Sequence, residues 1–121
     1  MENIVSTDYK NPPLEIGNNE HETATVVVDA NSTLKKGSVV KRAASGKFEK
    51  ATSLSAGDEG LAVIIEDVTN AASSSVDVNI RVMISGRVNR LALTVDDTAL
   101  TDAQVDTLRG NSIIALPVHE V

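Results

Sequence analysis

From Val76 to Ile84 every second side chain is apolar and those between are largely polar. Val76, Val78, Ile80, Val82 and Ile84 recur at period two, with Asp77, Asn79, Arg81 and Met83 between them. Successive side chains of an extended chain point to opposite faces, so this segment has one dry face and one wet face only as a strand. The pattern continues to Val88. Ser85-Gly86 is expected to bend the strand or form a bulge, and Arg87 to Leu93 carries on past it.

Other segments repeat the signal on a smaller scale. Thr23 to Asp29 (TATVVVD) is rich in β-branched residues and reads as a strand. Ser38 to Arg42 and Lys47 to Ala51 form an expected hairpin around Ala44-Ser45-Gly46, with Phe48 aimed inward. Leu61 to Val68 (LAVIIEDV) is apolar almost throughout and predicts a strand covered on both faces. It follows the breaker cluster Gly57-Asp58-Glu59-Gly60. Ala30 to Gly37 and Thr69 to Ser75 read as turns or loops.

One helix is expected, from about Asp102 to Arg109. Thr101 and Gln104 have capping-box spacing, and Leu100 and Val105 can form a hydrophobic staple. Asp102 and Arg109 suit the helix dipole, and Gly110 stands where a left-handed C-terminal cap is usual. Val105 and Leu108, three apart, would face the body. Asn111 to Val118 then returns as a last strand that ends near Pro117 or lies at an edge.

The chain has 121 residues, one Phe (Phe48), one Tyr (Tyr9) and no Trp. That is one domain with an aliphatic core. Met1 to Glu22 differs from the rest: it is polar, acidic and broken by Asn11, Pro12, Pro13, Asn18 and Asn19. Residues 1–22 are therefore expected to be a flexible N-terminal arm, slack or ordered by a partner, on a body spanning 23–121. The expected fold is mainly β: a compact, barrel-like body of short strands with one short α-helix in its C-terminal half.

Several classes of function are disfavoured. Cysteine is absent, which excludes thiol chemistry, disulfides and Cys-based zinc sites. No apolar run reaches the roughly 20 residues of a membrane helix. The start lacks a signal peptide's basic and apolar regions, so an intracellular soluble product is expected. A net charge of −6 argues against tracking nucleic-acid phosphates.

Catalytic equipment is sparse. His21 and His119 are the only neutral-pH bases, at the arm boundary and near the C-terminus. Glu20-His21-Glu22 cannot converge on one ion in an extended chain and reads as a solvated hinge. Asp96, Asp97, Asp102 and Asp106 lack EF-hand spacing and read as turn and helix-start carboxylates. Gly57 and Gly60 flank two acids, where a phosphate cradle needs free amides and a cation. Lys35-Lys36 and Lys41-Arg42 have no aromatic neighbour on which a base can stack. No catalytic, cofactor or metal site is expected, and an interaction or structural protein is the surviving class.

The order of elements resembles that of the head decoration proteins of tailed phages, the lambda gpD-like family. The likeness is carried by Thr25 to Asp29, Gly37-Ser-Val-Val, Gly46 to Ala51, Gly60-Leu-Ala-Val-Ile and Ile84-Ser85-Gly86. It continues through the capped helix of Thr101 to Arg109, Gly110, and Ser112 to Val118. It covers roughly residues 23 to 118, and the ordered succession carries it rather than any single motif. The chain departs from the family in lacking the aromatics common in its strands.

The resemblance implies a β-clip-like body and a homotrimer at local threefold positions on the outside of an expanded phage capsid. There it would clamp subunits of the major capsid protein against the pressure of packaged DNA. It also implies that the arm becomes ordered on the capsid, often by strand pairing. Within the arm, Pro12, Pro13, Leu14, Glu15 and Ile16 are the expected contact residues. The other reading of that stretch is that it packs back on its own body or on a neighbour in the trimer. The alternative function is a small β-barrel module that binds a sugar or other small ligand. A trimeric enzyme with Asp or Glu between subunits is a weaker third.

Overall fold

The structure is a computed structural model and describes residues 14–117. Its ten strands are short apart from the first and the seventh, which have 14 residues each. In chain order they are β1 (Glu15–Val28), β2 (Ser32–Leu34), β3 (Val39–Arg42), β4 (Phe48–Lys50), β5 (Leu61–Ile64), β6 (Val68–Asn70), β7 (Val76–Asn89), β8 (Thr94–Val95), β9 (Thr98–Ala99) and β10 (Ile113–Leu116). A 3-10 turn at Arg90–Ala92 follows β7, and the helix α1 spans Asp102–Arg109.

The main sheet runs β1-β4-β3-β5-β7-β10, and β1 also pairs with β7. The second pairing closes β1, β4, β3, β5 and β7 into a ring and leaves β10 outside as an edge strand. Closure removes the exposed edges that a small open sheet would carry. Most neighbours in the ring are antiparallel. The β1–β4 junction is parallel and rests on one registered pair, Val26 with Phe48.

β7 is the hub. Its first part pairs with β1 from Val76↔Val28 to Val82↔Glu22, its middle with β5 at Val82 and Met83, and its end with β10. The period-two face holds: Val82 is buried, and Val76, Val78, Ile80 and Ile84 pack half-buried against the same cluster. Met83 departs from the expected wet face. It is fully buried in a second cluster, because helix α1 and the loop after β7 cover that side of the sheet.

The aliphatic core is thus two cores separated by the sheet. One joins Val26, Val28, Leu34, Val40, Phe48, Ala62, Ile64 and Val82 inside the ring. The other joins Leu14, Val39, Leu61, Val63, Met83, Val88 and Leu93 with Val105, Leu108 and Ile113. Neighbours on β3 and β5 go to opposite clusters: Val39 against Val40, Leu61 and Val63 against Ala62 and Ile64. The continuous apolar run of β5 is therefore buried on both faces, as its sequence predicts.

Three boundaries are corrected. The expected strand at Thr23 begins at Glu15, so residues 14–22, assigned to a flexible arm, belong to the body. The expected run Leu61 to Val68 is two strands interrupted at residues 65–67. The loops expected at 30–37 and 69–75 contain β2 and β6, which pair with each other from Ser32↔Asn70 to Leu34↔Val68. Asn70 holds that pair to the ring: its Nδ2 donates to the carbonyls of Val28, Asp29 and Ser74. These local pairings carry no apolar alternation long enough to be read.

The helix follows its sequence signals. Gln104 N–H donates to Thr101 Oγ1, and Thr101 N–H donates to Gln104 Oε1, closing the capping box. Leu100, Val105 and Leu108 are buried in one cluster. The C-terminal cap differs from expectation. Gly110 is right-handed (φ −64°), and the positive φ falls at Ser112 (φ 65°). The Asn111 amide donates to Thr107 O, so a side chain satisfies a terminal carbonyl that a left-handed glycine would otherwise help to cap.

Candidate functional site: the end of the body around Asn89

Pro12 and Pro13 lie outside the described residues. The other three expected contact residues are placed. Leu14 is 3% exposed and belongs to the cluster with Val88, Leu93 and Ile113. Its carbonyl accepts from the Asn89 N–H at 2.7 Å. Leu14 is thus an anchor in the core, which matches the reading that this stretch packs back on its own body. Glu15 is registered with Val88, and Ile16 with Arg87. Glu15 Oε1 accepts from Asn19 Nδ2 and lies 2.7 Å from His21 Nε2.

The Asn89 position brings the two ends of the described chain together. Leu14 bonds to Asn89 from one side of β7, and Leu116 is registered with Asn89 on the other. Asn89 is fully buried, and its Oδ1 accepts from Leu91 N–H to start the 3-10 turn. Ile16, Arg87 and Ile114 stand in register across β1, β7 and β10, and registered side chains share a face. Arg87 is exposed, and Ile16, Ile114 and Leu116 are half-buried. Leu91, 53% exposed, is the most exposed large apolar side chain among the described residues. This end therefore combines an edge strand, a partly open apolar surface and the first and last described residues.

The leading part of β1 reaches β7 by an unusual route. The registers Ile16↔Arg87 and Glu20↔Ser85 are separated by four steps on β1 and two on β7, so Gly17, Asn18 and Asn19 bulge out. Asn19 refills the gap with its side chain: Oδ1 accepts from Arg87 N–H at 2.8 Å, and Nδ2 donates to Arg87 O at 3.0 Å. The amide lies on Gly86, whose φ is 133° and where a Cβ would overlap it. The expected irregularity at Ser85-Gly86 is this contact.

Other sequence-picked residues scatter. His21 is not a solvated hinge: it sits in β1, half-buried, against Glu15. His119 lies outside the described residues. Asp97 is paired with Lys50 and Asp102 with Arg90, so these carboxylates face different partners. Among the described residues no three His, Asp or Glu side chains group as a metal would require. Lys41 pairs with Asp58, and Arg42 pairs with Glu22. Arg42 also lies over Phe48, 4.7 Å from the ring centroid, an aromatic partner that the linear sequence does not place beside it.

An opening of about 640 Å³ lies between the loop at 57–60 and α1. Asp58, Glu59, Asp106 and Asn111 line it, and no aromatic does. Its polar groups are turned to one another. Asp58 Oδ2 accepts from Ser55 N–H and from Lys41, and these hold its carboxyl below the usual carboxylate value. Asn111 Nδ2 donates to Asp58 O.

Comparison with protein-family models, curated proteins and solved structures finds no match.

Proposed function

We propose that the chain is a phage capsid decoration protein that binds the outer surface of an expanded head as a homotrimer and stabilises the shell. The major capsid protein is the partner. Two things support the reading. The order of elements across residues 23 to 118 resembles that family. Leu14, Leu116, the β10 edge and exposed Leu91 all lie at one end of the body, around Asn89. That geometry suits a molecule that meets a surface through one end.

The physical logic is avidity. One short segment pairing by main-chain hydrogen bonds is weak, and a polar sequence suffices for it. Three such segments on one trimer raise the effective concentration of the second and third contacts. Residues 1–13 are the natural gripping segment, because removing them spares Leu14 and the core.

The alternative, a small ligand- or carbohydrate-binding module, needs a pocket with anchoring groups. The cleft beside α1 is open and without an aromatic wall, and two of its polar side chains, Asp58 and Asn111, are engaged within the protein. The decoration reading is therefore preferred.

The deciding experiment has two parts. Light scattering of the free protein is expected to give the mass of a trimer, and a monomer favours the alternative. A variant lacking residues 2–13 is expected to stay folded and lose binding to expanded capsids. Undiminished capsid binding by that variant overturns the gripping role of the segment.

A further inference from the structure

We infer that Leu14–Asn19 is a strap that opens as a unit while the rest of β1 stays in the ring. Its pairing with β7 consists of Glu15↔Val88 and Ile16↔Arg87 and is cut off from the ladder of Glu20 to Val28 by the bulge. Gly17 supplies a positive φ of 71° at the hinge, beside exposed Asn18. Beyond those pairs the strap is held by identifiable fasteners. Leu14 is sunk in the core and bonded to Asn89 N–H. Asn19 clips onto both backbone groups of Arg87. Glu15 reaches His21 on the part of β1 that stays.

The ladder beyond the bulge is different in kind. Glu22 to Val28 pairs residue by residue with Val82 to Val76, and Val26 and Val28 are buried inside the ring. Opening there breaks the ring, whereas opening at the bulge leaves the ring closed and uncovers the Leu14 site in the other cluster. Local openings of this sort follow the lines where few buried contacts cross. The open strap presents Leu14, Glu15 and Ile16 as extended chain. It also releases the Arg87 N–H and carbonyl on β7 from the Asn19 amide, an edge on which an extended segment of a partner can pair. That use at the capsid rests on the proposed function; the opening itself does not.

The test uses the free protein, so its failure is distinct from failure of capsid binding. Native-state hydrogen exchange is followed at the amides of Arg87 and Asn89, which face the strap, and of Ile64, which bonds to Ser38 O inside the sheet. Arg87 and Asn89 are expected to share one rate, ~10-fold or more above that of Ile64, with little dependence on low urea. Exchange of all three together with the steep urea dependence of global unfolding overturns the strap. So does fast exchange at Arg87 alone, which means that only the Asn19 clip frays.

A lock gives the second arm. The chain has no cysteine, so the registered pair Ile16→Cys with Arg87→Cys makes a single possible bridge. Oxidation is expected to slow Asn89 exchange ~10-fold relative to the reduced form of the same variant. Equal exchange in the bridged and reduced forms overturns the inference.

Discussion

The side-chain amide of Asn19 stands in for a backbone partner beside Arg87, accepting from its N–H and donating to its carbonyl across the face of Gly86. This pair, 68 residues apart in sequence, decides that the leading part of β1 joins the body. It is also the point where the long strands change register.

Gly86 is the residue that the clip cannot do without. Gly86→Ala puts a Cβ into the Asn19 side chain at a φ of 133°. Strain and lost hydrogen bonds together are expected to cost about 2–4 kcal/mol in urea denaturation. Gly17→Ala is the control. It also has positive φ, but its nearest neighbour is the movable end of Arg87, and a loss of about 1 kcal/mol is expected. Equal losses for the two variants refute the close-approach argument.

Ser38 carries a buried hydroxyl with no hydrogen-bond partner among the described residues. Ser38→Ala removes an unmet polar group without opening a large void. The variant is expected to be as stable as the parent or up to about 1 kcal/mol more stable. A loss above about 1 kcal/mol in thermal or urea unfolding shows that the hydroxyl is satisfied in solution, for example by a buried water.

The helix start is a separate, local contribution. Thr101→Ala deletes the acceptor for Gln104 N–H and leaves an orphan donor in the first turn. A loss of about 1 kcal/mol is expected, and Thr101→Ser should recover most of it. Failure of Ser to rescue the stability points to the threonine methyl rather than the cap.

Two carboxyls tie stability to acid. Asp58 is lowered from its ordinary value of 3.8 by the Ser55 N–H and then by Lys41. Asp97 is lowered from the same value by its hydrogen bond and charge pairing with Lys50. Groups lowered on folding stabilise above the unfolded value and lose that effect as pH falls through the folded one. Stability is therefore expected to hold near neutrality and fall on acidification below about pH 4. Asp58→Asn combined with Asp97→Asn should flatten that acid limb in melting curves taken between neutrality and pH 2. An unchanged limb assigns the acid sensitivity to other carboxyls.

Short-range physics was legible wherever partner and signal lie within a few residues. The capping box at Thr101 and Gln104, the staple of Leu100 and Val105, and the hairpin of β3 and β4 with Phe48 buried are all readable in the chain and present in the fold. One missed element had a local signal: Asp96-Asp97, both at positive φ, form the two-residue turn between β8 and β9. The two aspartates read correctly as turn residues; the two-residue strands on either side of them are too short to show alternation. The start of β1 had no such signal. Gly17, Asn18 and Asn19 look like a loop in any window, and their partner is Arg87 on a distant strand.

Composition and period, taken alone, settled that the chain is a mainly β body with an aliphatic core and one capped helix, because alternation and capping act over two to four residues. Ring closure, the burial of Met83 on the expected wet face and the meeting of Leu14 and Leu116 at Asn89 came only with the tertiary structure. Each depends on which strand lies beside which, and that choice is made by contacts among residues tens of positions apart. The same long-range pairing moved the edge of the body from Thr23 to Leu14 and turned an expected contact residue into an anchor.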